Sequence, residues 1–528
     1  MHQRTMACFG ALVLTAVTVA CGSDDDSTAL PTQPASAAPA APAASAAPAT
    51  TMLAGASQET AQAATAATEA PAEEPGDPVP PQASQTNPVT DVAVDALSTF
   101  AMDVDTGSYT YARQSLQAGV VPDPAAVRTE EFVNALEQDY AAPDDSAFAV
   151  TVDGTSAPFL DPASRIVRVG IQGKRVADAD RADANLTFVI DISGSMADPG
   201  KLDAVRPALL GLVESLRPTD RVGIVVYSDA TRVLLESTPV SERQAIDNAI
   251  EQLQPEGSTN VEDGLRLGYT TAQASFDAAR INRVVLLSDG VANVGATGPD
   301  AILDLIGDAA RTGIDLVTVG FGLGEYNDVL MEQLADRGDG FYAYVDGERE
   351  ATRLFTEDLT GTLVTIAREA KVQVEFNPAL VRTYRLIGFE NRAVADDDFR
   401  DDSVDGGEVG AGHTVTALYE VSLQEGAAPD GWLAVAVIRW LDPDTTEPHE
   451  ASTRLLGGDL VASIGDAPLR LQQDVYVAAF AETLRGGGWN GLISLDGLSA
   501  NLHAVASRLG DTAVAEAADL IDARAQLG

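Results

Sequence analysis

Lysine is nearly absent from this chain: among 528 residues only Lys174, Lys201 and Lys371 carry an ammonium side chain. Basic residues number 33 against 79 acidic ones, for a formal charge of −46. So acidic a surface repels phosphate backbones, and nucleic acid is excluded as a partner class. Cysteine is scarcer still, at Cys8 and Cys21, so no disulfide framework can be built. Histidine occurs four times, and His413, His449 and His503 show no metal-ligand spacing. There is no Gly-x-Ser-x-Gly elbow, which leaves zinc and serine hydrolase chemistry without a basis. Asp105-Thr-Gly-Ser108 matches an aspartic-protease tetrapeptide, but that chemistry needs two carboxylates sharing a proton, and no second copy stands in a matching context. The same four residues suit the start of a helix, with acidic charge at the positive end of its dipole. No enzymatic activity is expected.

Long apolar runs are also lacking. The stretch from Met1 to Ala20 begins with Arg4, continues apolar to Ala20 and places a small residue before Cys21, as a secretory signal does. It is too short to span a bilayer. Cleavage before Cys21 would remove Cys8 and leave Cys21 with no partner. Residues 22–90 are dominated by Ala, Pro, Ser and Thr, with no aromatic and no basic side chain. Such a segment cannot bury enough apolar surface to fold, and prolines 31, 34, 39, 42 and 48 break its alanine tracts. As a linker it would span about 45 Å when coiled and up to about 210 Å as extended polyproline II.

What is present is folded character from about Val92 onward. Asp105 to Gly119 and Pro124 to Gln138 read as helices, and Phe148–Val152 and Arg165–Ile171 alternate as half-buried strands. From Asn185 to Glu369 strand and helix alternate, with strands expected at 186–191, 221–227, 232–236, 283–288, 314–320 and 341–345. Alternation of this kind makes a doubly wound, mainly parallel sheet. The short link between Tyr227 and Arg232 makes one edge strand antiparallel. Beyond Lys371 the pattern changes to antiparallel strands at 371–376, 413–422 and 431–441, then to helices over 468–484 and 498–527. Strands therefore flank the α/β stretch on both sides, and those at 148–171 are expected to share a sheet with strands after 371. The expected organisation is 1–21 signal and lipidated cysteine, 22–90 linker, 91–184 helices and strands, 185–369 α/β domain, 370–465 β-rich domain and 466–528 helical region.

Five oxygen-bearing side chains stand where strands end. Asp191-Ile-Ser193-Gly-Ser195 follows the apolar run Leu186–Ile190, Asp289 follows Arg283–Leu287, and Thr259 lies in the loop before a helical pattern. Ligands bind in the crevice at the carboxyl ends of strands in such sheets. Carboxylates and hydroxyls select a hard cation, Mg²⁺, Mn²⁺ or Ca²⁺, over zinc. A second acidic run, Asp401, Ser403, Asp405 and Gly406, imitates the start of an EF-hand loop, but position twelve is Gly412 where a glutamate is needed, and a solvated loop is the better reading.

The set Asp191-x-Ser193-x-Ser195, Thr259 and Asp289 resembles the metal-ion-dependent adhesion site of von Willebrand factor type A domains, a Rossmann-like fold. The resemblance implies that the serines and threonine coordinate directly or through water, the aspartates largely through water, and a protein partner's Asp or Glu completes the shell. It also implies that the last helix of the domain, near Glu350 to Arg368, shifts when the site is filled. Val17-Thr-Val-Ala-Cys21 resembles a bacterial lipoprotein signal, with Thr18 in place of the usual leucine; Cys21 would then be lipidated, anchoring the chain outside the cytoplasm. Phe100–Tyr109, Val127–Asn134, Val374–Pro378 and Tyr384–Arg392 resemble segments of a bacterial lipoprotein family with this layout, whose C-terminal domain has no known function. The expectation is an anchored adaptor; the alternative is a structural protein of the cell envelope in which the metal only stabilises the fold.

Overall fold

The computed structural model describes residues 86–528 apart from 103–104, 157–158, 290–298, 323–327, 346, 358–360, 362 and 427–429. Its α/β part is a six-stranded sheet in the order Tyr342–Val345, Asp315–Phe321, Ile281–Ser288, Ala184–Asp191, Arg221–Tyr227 and Thr231–Pro239. The first five strands are parallel, and Thr231–Pro239 pairs antiparallel at the edge, as the short 227–232 link requires. Every residue of Ala184–Asp191 is buried because helices cover both faces. Phe188 and Ile190 share a core with Leu202, Val205, Leu209 and Leu212 of the Leu202–Ser215 helix, whereas Val189, one position out of phase, packs with Val261, Leu265 and Tyr269 on the other face. Each such fully buried Leu, Ile or Phe contributes about 1.5–3 kcal/mol.

The remaining strands form two antiparallel sheets packed face to face. One runs Thr90–Asp91, Val381–Ile387, Thr414–Leu423, Ser164–Gly173, Phe148–Thr155. The other runs Val409–Gly410, Thr365–Phe376, Trp432–Leu441, Pro448–Leu456, with Leu97–Ala101 also paired to Thr365–Phe376. Strands before the α/β part thus share a sheet with strands after residue 371, as the flanking pattern predicts. Thr365–Phe376 itself lies in the opposite sheet, and it starts early enough to include residues 365–369 of the stretch assigned to the α/β domain.

Alternation decides which layer each side chain joins. Val167, Val169 and Ile171 face the core between the two sheets, while Ile166 faces a separate core beneath a layer of helices. That layer comprises Gly107–Gln117, Thr129–Asn134, Leu469–Arg485, Leu495–Leu509 and Thr512–Gln526.

Three helix expectations need correction. The 124–138 stretch is a 3-10 turn at Pro124–Ala126 and a helix only at Thr129–Asn134, because Val127 and Arg128 are extended between them. The 498–527 stretch breaks at Gly510, which takes φ +69°, and restarts with Asp511 as N-cap. The helix near Glu350–Arg368 is Glu348–Thr352 followed by a π-helical turn at Arg353–Glu357, and the chain is already extended by Thr365.

Candidate metal centre

Asp191 ends its strand, and the chain turns there because the Asp191 carboxylate accepts the Ser193 N–H at 2.8 Å. The Ile192 N–H donates to the Tyr227 carbonyl at 3.0 Å, which ties the turn to the end of the neighbouring strand. A 3-10 turn, Gly194–Ala197, follows and is pinned by buried Met196. Together these fix the Ser193 and Ser195 hydroxyls 3.1 Å apart. Adjacent ligands of an octahedral Mg²⁺ at 2.0–2.1 Å lie about 2.9 Å apart, so the hydroxyl pair matches one edge of such a shell.

Asp289 directly follows the Ile281–Ser288 strand beside the one that delivers Asp191. The Ser288 hydroxyl donates to the second oxygen of Asp191 at 3.2 Å. Thr259 is half-buried on a loop that the Gly194 N–H holds through a 3.0 Å bond to the Gly257 carbonyl. Gly257 takes φ +71°, a left-handed conformation that glycine adopts without strain. Asn260 then caps the Val261–Ala274 helix. Asp191, Ser193, Ser195 and Asp289 thus gather at one end of the sheet, with the Thr259 loop bonded to the Ser193 turn.

The electrostatics are those of a site short of positive charge. Asp191 and Asp289 are both buried. Burial pushes Asp191 up to about 6, against the hydrogen bonds from Ser193, and the charge of Asp289 adds to the rise. Burial likewise raises the Tyr227 phenol well above its ordinary value, with the Asp191 charge second. Lys201, absent from the sequence-derived set, donates to Asp289 Oδ2 at 3.0 Å. The two carboxylates and this ammonium sum to one formal negative charge, and the donors are all oxygen; both features fit a hard divalent cation. Ser195 is half-buried and Ala197–Pro199 are exposed, which leaves that side of the site open.

Sequence patterns do not single out Ser288 or Lys201 as parts of the site. A lysine immediately before the Leu202–Ser215 helix, where a hydroxyl or acidic side chain is preferred, is the one available signal. The other sequence candidates lie elsewhere. Asp401 closes a turn on the Ser403 N–H and hydroxyl, and Asp401, Asp402 and Ser403 are exposed, as a solvated loop requires. Asp105 does not cap the Gly107–Gln117 helix; Thr106 is the N-cap residue, without a side-chain cap, and Asp105 pairs with Arg392 at 3.3 Å. His503 Nε2 lies 3.2 Å from Asp522 and 3.7 Å from Asp519 on the surface of the helix layer. Cys21 and the 22–85 part of the linker lie outside the described residues. No described helix is long and apolar enough to cross a membrane.

Family models match three stretches of the chain. The family model described as von Willebrand factor type A domain matches residues 185–357, and one described as von Willebrand factor matches 81–168. A third, described as uncharacterized protein YfbK, C-terminal, matches 361–527. Uncharacterized protein YfbK of Escherichia coli (strain K12) is 35% identical over 425 residues, 77% of this chain and 74% of that protein. Inter-alpha-trypsin inhibitor heavy chain H3 of Homo sapiens is 30% identical over 193 residues, which is 34% of this chain and 21% of that protein. Among solved structures, a von Willebrand factor type A protein from Catenulispora acidiphila aligns at 15% identity and TM-score 0.40, over 72% of this chain and 90% of that one. The chain belongs to the YfbK family and joins a von Willebrand factor type A domain to a YfbK C-terminal domain.

Proposed function

We propose that the chain is a lipid-anchored, extracytoplasmic adaptor that holds a divalent cation with Asp191, Ser193, Ser195, Thr259 and Asp289 and uses it to capture an acidic side chain of a protein partner. The observation that carries this reading is the meeting of two buried carboxylates with two serine hydroxyls 3.1 Å apart at the carboxyl ends of parallel strands. A bound Mg²⁺, Mn²⁺ or Ca²⁺ supplies an electrophilic centre for one further carboxylate oxygen. The two aspartates balance its charge, the serine turn orients the hydroxyls, and the exposed 197–199 side admits the partner. A chain of charge −46 repels acidic partners at long range, so the attraction has to be supplied locally by the ion. Lipidation at Cys21 places the folded part on a membrane, with the linker as its tether; the linker ends sooner than residue 90, because Asn87 donates to the Gly388 carbonyl at 2.7 Å and Thr90 pairs with Tyr384.

The test is retention of partners from envelope extract by wild type and by Asp191→Ala, each in Mg²⁺ and in EDTA. A protein held only by wild type with Mg²⁺ supports the adaptor; the same proteins held in all four samples refute it. A Ser193→Ala, Ser195→Ala double variant separates the alternative. Capture lost with folding intact marks an adaptor, whereas a lower Tm with normal assembly marks a metal that serves the fold. Cys21→Ser should abolish incorporation of labelled palmitate and release the chain from the membrane.

A further inference from the structure

We infer that Lys201 is a built-in counter-ion of the metal centre, a residue whose ammonium takes the place of a divalent cation at Asp289 and so sets how tightly the site binds one. The inference rests on the metal-site reading above and deepens it.

Four observations support it. The Lys201 side chain is 6% exposed, and its Nζ lies 3.0 Å from Asp289 Oδ2, whose side chain is fully buried. A second carboxylate, Asp198, lies 3.6 Å from the same nitrogen and is 71% exposed, so an alternative partner stands on the solvent side. The stem has a prepared seat: Gly322 takes φ +89°, and a Cβ there would lie 2.6 Å from Lys201 Cε and 2.7 Å from Cγ. Finally, the position is unfavourable on local grounds. Lys201 is the N-cap residue of the Leu202–Ser215 helix, makes no side-chain cap and sets positive charge against the positive end of the helix dipole. A local rule broken this way in a chain with only three lysines points to a use at the site.

Charge arithmetic gives the consequence. With Lys201 on Asp289, the aspartate pair and the ammonium sum to −1, and half of the buried negative charge is offset without a metal. With a divalent cation present, the two carboxylates are already neutralised, and an ammonium held at Asp289 would leave an excess of +1. Lys201 therefore exchanges Asp289 for Asp198 as the cation binds, and the cost of that exchange weakens the site. Removing the ammonium while keeping the stem should strengthen cation binding and lower the stability of the metal-free protein.

The experiment is calorimetric titration of Mg²⁺ into the full chain, wild type and Lys201→Met. About tenfold or tighter binding by Lys201→Met supports the inference. Equal or weaker binding by the variant overturns it and leaves the metal site standing. If neither protein binds Mg²⁺ and Asp191→Ala behaves like both, the metal reading falls and the inference with it. A second measurement needs no variant. With only three lysines to label, the Lys201 side-chain resonance can be followed by NMR in wild type. It should move as Mg²⁺ is added while those of Lys174 and Lys371 stay; an unmoved Lys201 signal at saturating Mg²⁺ overturns the exchange.

Discussion

Replacing Arg168 by Met should unfasten the helix layer from the sheet beneath it. Arg168 stands on Ser164–Gly173, and its guanidinium donates to Asp474 at 2.9 Å and to Asp153 at 2.7 Å. Asp474, on the Leu469–Arg485 helix, is wholly buried, whereas Asp153 is 26% exposed and can fall back on water. Without the guanidinium, Asp474 keeps, among the described residues, amide donors from Gln138 at 2.9 Å and Gln473 at 3.4 Å. Removing one partner of a buried ion pair costs about 3–5 kcal/mol, because the remaining charge is left uncompensated. In a folded body of this size, at about 2.1 cal/mol/K of unfolding entropy per residue, that lowers Tm by roughly 3–6 °C. Scanning calorimetry and urea unfolding followed by circular dichroism measure the loss. The double variant Arg168→Met, Asp474→Leu removes the stranded charge and should recover most of it. A loss below about 1 kcal/mol in the single variant, or a double variant no more stable than the single, would refute the reasoning.

Glu130 gives a pH dependence. It is buried with Oε2 lacking a hydrogen-bond partner, and burial, followed by the charges of Glu390 and Glu131, raises its carboxyl from 4.5 to about 7. Below pH 4.5 folded and unfolded forms are both protonated; between 4.5 and 7 only the folded form holds the proton, so stability falls as pH rises, by about 3 kcal/mol in all. Glu130→Gln should flatten this slope in urea unfolding measured at pH 5 and pH 7.5, and an unchanged slope counts against the assignment. Asp511 caps Thr512–Gln526 through the Ala513 and Val514 N–H groups and accepts from Arg470 at 2.8 Å. Asp511→Ala should cost about 1–2 kcal/mol and speed amide exchange in residues 512–526 first. At Gly340 a Cβ would fall 1.7 Å from the Leu316 carbonyl oxygen, so Gly340→Ala should lower the yield of folded protein, while Gly486→Ala, with open space around it, should cost only about 1 kcal/mol for its φ of +73°.

The α/β part was legible because its strands are continuous apolar runs. Leu186–Ile190 and Arg283–Leu287 are buried on both faces and, short and rich in β-branched residues, read as strands, and a strand's end fixes where Asp191 and Asp289 emerge. The helices of the outer layer were less legible. Val127 and Arg128 interrupt an otherwise helical stretch, and the interruption is set by what the neighbours require: the Ser108 hydroxyl donates to the Ala126 carbonyl and accepts the Arg128 N–H at 2.8 Å. The strands Val381–Ile387 and Pro448–Leu456 are hard to read locally because the first, Val-Arg-Thr-Tyr-Arg-Leu-Ile, does not alternate and the second lies at a sheet edge with most of its side chains exposed.

The sequence by itself determined the alternation of strand and helix in the α/β part, its antiparallel edge and where Asp191 and Asp289 emerge, because each follows from a local pattern of burial or from the residue at a strand's end. The tertiary structure alone decided three things. It assigned Thr365–Phe376 and Ser164–Gly173 to opposite sheets, since pairing depends on partners distant in the chain. It placed Arg168 between Asp153 and Asp474, 15 and 306 residues away. And it brought Lys201 to Asp289 across 88 residues, a contact invisible to spacing because it depends on which strands lie side by side in the sheet.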